Sequence, residues 1–274
     1  MSCASSSDRR TAGRVAEPVV RVGVIGAGAI GGVVAEALRD GHVEHATLSG
    51  VVAGRNSDPA AFQAILEGSD VVVEAASQAA VGTYGPRVRE AGLDLVVVSV
   101  GALVDDELLR ALTAPVRGRL LLSTGACGGI DLLRAAQLMH PLAAVRLETT
   151  KPSAALVRDW MEPQLRETLL ADEDAVSVFS GSAREAVQRF PETANIAALI
   201  ALATIGFDDV EVEVRAEPAA SAATHVISAR GDAGTYRFEI ENALSPQNLR
   251  TSAVTAYAVL RALTDRSAVF TPGW

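Results

Sequence analysis

Residues 19–25 (Val-Val-Arg-Val-Gly-Val-Ile) are apolar at both odd and even positions. A strand covered on only one face alternates apolar and polar residues; this run instead predicts a parallel strand buried on both faces. Comparable runs recur at 47–53, 70–75, 93–100 and 119–124. Between them, apolar residues recur at helical spacing over 32–39, 62–66, 79–91 and 105–112. Strands alternating with helices in this way predict a doubly wound parallel sheet. After Gly129 the rhythm changes. Helices are predicted at 131–139, 183–189 and 194–205, and strands at 142–149 and 175–179. Strands at 209–216, 224–230 and 235–241 then follow one another with no helix between them, the pattern of an antiparallel sheet. A last helix, 251–263, is long enough to pack back on the first part. The expected fold class is α/β: a doubly wound parallel sheet plus a smaller α+β domain with a mainly antiparallel sheet. The expected boundaries are a disordered lead at 1–18, a first domain of 19–126 with 247–274, and a second domain of 127–246 for substrate and oligomer contacts.

Gly26-Ala27-Gly28-Ala29-Ile30-Gly31 stands directly after the first strand and before the first helix. In a G-x-G-x-x-G loop the first glycine permits the tight turn and the second lets a pyrophosphate approach the backbone. The third lets helix and strand pack closely. The helix start adds free N–H groups and a partial positive charge. This context makes the first domain a Rossmann unit and implies NAD or NADP, with Gly26, Gly28, Ala29, Ile30 and Gly31 around the phosphates. The second strand ends Val51-Val52-Ala53-Gly54-Arg55, without the carboxylate that usually holds a ribose 2′-hydroxyl. Nothing there repels a 2′-phosphate. Arg55 either pairs with that phosphate, in which case NADP is accepted, or is a solvated loop residue. Strand three closes in Glu74-Ala75-Ala76-Ser77-Gln78. Small Ala76 and Ser77 at that carboxyl edge suit a nicotinamide ribose, or an ordinary tight turn.

Composition narrows the partners. The formal net charge of −9 disfavours nucleic acid and anionic membranes, while one local cation can still hold a small carboxylate. No uncharged apolar run approaches the ~20 residues that span a bilayer. The first 17 residues lack the apolar stretch of a secretory signal, so a cytoplasmic location is the default expectation. Cys3 and Cys127 make neither a disulfide framework nor a zinc pattern, and no metal is expected. Cys127, at a glycine-rich helix start, is either an activated thiolate suited to aldehyde oxidation or a small apolar residue in a packed turn. Of 24 lysines and arginines only Lys151 is lysine, which marks a position suited to a compact or deprotonatable cation. His225 opens a candidate strand in the second domain. It could move protons near neutrality, or be a structural residue.

Many short blocks match in order and spacing: Gly26 to Gly31, Glu74 to Gln78, Ser123 to Asp131, Thr149-Thr150-Lys151-Pro152, and Phe190-Pro191 with Asn195 to Ala198. Further on come Gly206-Phe207-Asp208, His225-Val226-Ile227, and Asn248 with Thr251-Ser252 and Thr255-Ala256-Tyr257. Through these, the chain resembles the L-aspartate dehydrogenase family from about Val22 to Leu263. The resemblance implies transfer of a hydride from Cα of aspartate to NAD(P)+, giving iminosuccinate and then oxaloacetate and ammonia. It places His225 on the family's catalytic histidine and Lys151 near the substrate as a carboxylate anchor. Cofactor contacts carry over to Ala126 and Asn195. The implied partner is a dicarboxylic amino acid, and the implied assembly is a homodimer. One departure stands beside the histidine: the family usually has Asn two residues before it, where this chain has Ala223. A related oxidoreductase acting on another amino or oxo acid and a non-catalytic NAD(P)-binding protein are the alternatives.

Overall fold

A computed structural model describes residues 19–53, 59–191, 193–218 and 220–267. The expected lead at 1–18 and Arg55 lie outside the described residues. The first half runs β1 (Val20–Ile25), α1 (Gly31–Arg39), β2 (Ala46–Val52), α2 (Pro59–Gly68), β3 (Val71–Glu74), α3 (Gln78–Glu90), β4 (Asp94–Val97), α4 (Asp106–Thr113) and β5 (Leu120–Leu122). All five strands are parallel, in the order β2-β1-β3-β4-β5. Alternate strand residues explain the unbroken apolar runs. Ile25, Val72, Leu95 and Val97 pack on Phe62 of α2 and on Ala80, Val81 and Val88 of α3. Val22, Val24, Val71, Val73 and Val96 face the other way, onto α1.

The second half carries α5 (Ile130–Met139), β6 (Leu142–Lys151), α6 (Ser153–Leu156), α7 (Pro163–Ala171), β7 (Val176–Ser182), α8 (Ala183–Arg189), α9 (Asn195–Ala203), β8 (Val210–Ala216), β9 (Ala223–Gly231) and β10 (Gly234–Asn242). Its sheet has the order β10-β9-β6-β8-β7, antiparallel at every junction except β6–β8. One face, with Leu147, Val212, Val214 and Ile227, is covered by α8 and α9. A small hairpin follows, β11 (Leu244–Ser245) with β12 (Asn248–Ser252), and then α10 (Val254–Ser267). Ala256, Val259 and Leu263 of α10 return to the first sheet beside α1.

Three expectations need correction. The strand expected over 93–100 stops at Val97. Ser99 is turned aside by the Glu74 carboxylate, which accepts its backbone N–H at 3.1 Å and its hydroxyl at 3.0 Å, and a short 3-10 helix, Val100–Val104, follows. The last helix begins at Val254 instead of 251, because Thr251 and Ser252 belong to the hairpin. Helices α6 and α7 were not expected at all. Both lie in the link from β6 to β7, where α7 is short and begins at Pro163, so neither shows a sustained apolar period.

Candidate active site

The strand order reverses direction beside β1, with β2 on one side and β3 on the other. Ligands of open α/β sheets settle in the crevice beyond the carboxyl ends at such a point. The glycine loop lies there. Gly26 has φ of +105°, and a Cβ on it would stand 2.5 Å from the carbonyl oxygen of Ala75. A Cβ on Gly31 would stand 2.1 Å from the carbonyl oxygen of Gly26. A Cβ on Gly28 would meet nothing within 4 Å. Two glycines therefore serve close packing, and the third borders open space at the start of α1, the shape a pyrophosphate needs. Gly31→Ala is expected to destabilise the fold by about 1–3 kcal/mol, because backbone must move. Gly28→Ala should leave the melting temperature unchanged and weaken NADPH binding about tenfold or more. Thermal melting and fluorescence titration separate the two, and identical behaviour of both variants would contradict these roles.

Glu74 is fully buried at the end of β3. One oxygen accepts the backbone N–H groups of Ala76 and Ser77 at 2.8 and 2.9 Å. Burial pushes its carboxyl above the usual range, and the hydrogen bonds from the loop backbone and Ser99 oppose that shift. Glu74 thus ties the loop after β3 to the loop after β4. The Ala76 and Ser77 N–H groups are directed inward, and the Ser77 hydroxyl accepts from Ala80 N–H to cap α3. Both residues are exposed, so they shape the crevice more than they donate to a ligand.

A cleft runs from this crevice to the second sheet. Ile30, Ala126, Lys151, Asn195 and His225 all line it, so residues from five separate stretches meet there. The Ala126 carbonyl accepts the Asn242 amide at 3.1 Å. Asn195, at the start of α9, accepts the Gly101 N–H on its Oδ1 at 3.0 Å, which leaves its Nδ2 for the cleft. Gln78 donates to the Pro191 carbonyl at 2.8 Å. These last two bonds join the two halves beside the cleft.

Lys151 and His225 owe their meeting to strand register. Thr149 of β6 pairs with His225 of β9, and Lys151 lies two residues beyond Thr149 on the same face. His225 is 3% exposed and Lys151 5%. Thr149 Oγ1 lies 3.0 Å from His225 Nδ1. Ala216 pairs with Lys151 on β8, and Ala223 precedes His225 by two, so small side chains flank the lysine. Burial, and then the charge of Arg158, lower the Lys151 pKa to about 8. Burial, and then the Lys151 charge, lower that of His225 to about 3. A ligand carrying negative charge into the cleft would raise both. At neutral pH this cleft holds a neutral imidazole beside an ammonium that deprotonates readily.

Cys127 is not the activated thiolate that one reading of the sequence allowed. Burial pushes its thiol up to about 12, its Sγ lies 3.7 Å from the Gly128 carbonyl, and it packs against the apolar core. Several lining residues had no role assigned from sequence: Thr193, Ile196, Leu199, Thr251, Ser252 and Thr255. The Thr-Ser-x-x-Thr spacing at a helix start was the available signal for the last three. Thr149 could not be paired with His225 without the register.

Comparison with known proteins agrees with this arrangement. Residues 131–266 match the family model described as aspartate dehydrogenase, C-terminal, and residues 26–117 match that of the homoserine dehydrogenase NAD-binding domain. The chain is 35% identical over 261 residues to an L-aspartate dehydrogenase of Methanosarcina barkeri, covering 89% of this chain and 96% of the relative. It is 35% identical over 267 residues to L-aspartate dehydrogenase 2 of Bordetella pertussis, covering 92% and 99%. The crystal structure of aspartate dehydrogenase from Thermotoga maritima superposes with a TM-score of 0.72 at 27% identity, covering 93% of this chain and 99% of that one.

Proposed function

This chain belongs to the L-aspartate dehydrogenase family, and on that premise we propose that Lys151 and His225 carry the oxidation of L-aspartate in the cleft between its two sheets. The observation that carries this reading is their placement: a buried cation and a neutral imidazole, side by side on β6 and β9, in one cleft with Ile30 of the glycine loop.

Bound NAD(P) supplies the hydride acceptor. Lys151 binds a substrate carboxylate and orients Cα; excluding water strengthens that attraction. When the Cα–H bond breaks, the nitrogen lone pair forms C=N and the amine must lose a proton. With Nδ1–H donating to Thr149 Oγ1, the other ring nitrogen of His225, Nε2, keeps its lone pair and accepts that proton. Once that first proton has passed to solvent, the same nitrogen takes a proton from the water that attacks the imine carbon and hands it to the departing nitrogen, so that the C–N bond breaks and oxaloacetate and ammonia leave. The entering carboxylates raise the His225 pKa towards a useful range as the substrate binds.

Ala46 to Ala53 contains no carboxylate, which supports acceptance of NADP as well as NAD. We assign 19–126 with α10 to cofactor binding and 127–246 to substrate binding and assembly. The outward face of the second sheet carries Arg146, Glu148, Glu213 and Arg215, a surface suited to a second copy of the chain, and light scattering in solution would give the expected dimer mass. No helix among the described residues is long and apolar enough to cross a membrane; we place the protein in the cytoplasm, which fractionation checks. The test of function is direct. Aspartate should reduce NAD+ or NADP+, and oxaloacetate with ammonia should oxidise the reduced forms, followed by nicotinamide absorbance. Faster turnover of another amino acid, or no turnover at all, would overturn the reading.

A further inference from the structure

Aspartate brings two carboxylates, and Lys151 is one cation. The same cleft is also lined by Thr251 and Ser252 at the end of β12 and Thr255 in the first turn of α10. Ser252 and Thr255 are each only 9% exposed, and neither hydroxyl has a hydrogen-bond partner among the described residues. Both residues line the cleft, so these hydroxyls are available to a ligand that enters it, and hydrogen bonds to a charged acceptor are the stronger kind. The backbone adds a second contribution. Helix α10 is 14 residues long with no acidic residue in its first turn. Its first N–H groups have no intrahelical partner and form the positive end of the helix.

We propose that the N-terminus of α10, with the Ser252 and Thr255 hydroxyls, binds one carboxylate of the substrate while Lys151 binds the other. The cleft then selects dicarboxylic amino acids through two anion sites built on separate elements, β6 and the start of α10. This inference rests on the aspartate reading above. It also gives the hairpin a purpose: pairing of Ser252 with Leu244 fixes where α10 begins.

Ser252→Ala and Thr255→Val each remove one donor without adding bulk. Each should raise the KM for aspartate about tenfold, as loss of a hydrogen bond to a charged group does, with the effect on KM and not on kcat. The dissociation constant of NADP+ should not change, and Thr255→Ser should restore the affinity. Preference for aspartate over alanine should narrow by the same factor. Calorimetry with succinate, a dicarboxylate without an amine, in the presence of NADP+ should show the same tenfold loss. An unchanged aspartate KM and succinate affinity would overturn the proposal. So would weaker NADP+ binding in the variants, which would assign the hydroxyls to the cofactor. If the wild type fails to oxidise aspartate but loses succinate affinity in both variants, the aspartate reading falls and the anion site stands.

Discussion

His225→Ala is expected to lower kcat for aspartate oxidation by about 10²–10⁴ while NADPH still binds with wild-type affinity. The imidazole is buried beside Lys151, its Nδ1 is paired with Thr149, and it is the histidine lining the cleft. Its removal deletes the proton acceptor but leaves the glycine loop, Glu74 and Asn195 in place on other elements. Stopped-flow measurement of NADPH formation, with fluorescence titration of the cofactor, reads both quantities. Turnover within threefold of the wild type would remove His225 from the mechanism. Thr149→Val provides a graded check. The ring stays, but its tautomer and orientation lose their partner, so kcat should fall by less than in His225→Ala.

Lys151→Met should raise the KM for aspartate about 100-fold, the cost of leaving a carboxylate in a buried site without its cation. The pH dependence has a definite sign. With a pKa of about 8, Lys151 is charged below that pH and neutral above it. In the wild type, kcat/KM for aspartate should therefore decline as pH rises through about 8, because that ratio reports the free enzyme. Lys151→Arg should lose this decline, since a guanidinium stays charged. Stability should move in the opposite direction. The pKa is depressed from 10.5 to about 8 in the folded chain. The stability linked to this group is thus present above 10.5 and lost as pH falls through 8. At pH 7 the wild type holds a charge in a poor environment. Lys151→Met should gain on the order of 1–3 kcal/mol of stability there, with the difference vanishing above pH 10.5. A destabilised Lys151→Met with unchanged aspartate KM would show the lysine to be structural.

The two halves of the cleft differ in how they could be foreseen. The glycine loop is a local object. Its turn, the strand before it and the helix after it are contiguous, so residue type and spacing specify it directly. The β-branched runs of β1 to β5 are similarly plain, because a strand buried on both faces needs apolar residues at every position. The lone lysine and His225 were visible as unusual residues, although nothing in their spacing joined them. The Glu74 carboxylate was seen only as part of a strand ending, and its grip on Ser99, 25 residues later, shortened β4 against expectation. For Cys127 the glycine-rich setting allowed either a reactive thiolate or a packed turn residue, and its packing in the core, with a thiol held well above the usual range, favours the packed one.

From the residues alone came the parallel sheet, the dinucleotide loop, the break in rhythm after Gly129, and the resemblance that named aspartate. All of these depend on short-range periodicity, turn chemistry and the order of short blocks. The tertiary structure alone decided the β6–β9 register that sets Thr149 against His225, the burial that lowers the Lys151 and His225 pKa values, and the hairpin that delays α10 to Val254. Register shifted by one residue would turn Lys151 and His225 to opposite faces of the sheet. That choice is made by packing against α8 and α9, far along the chain from either residue.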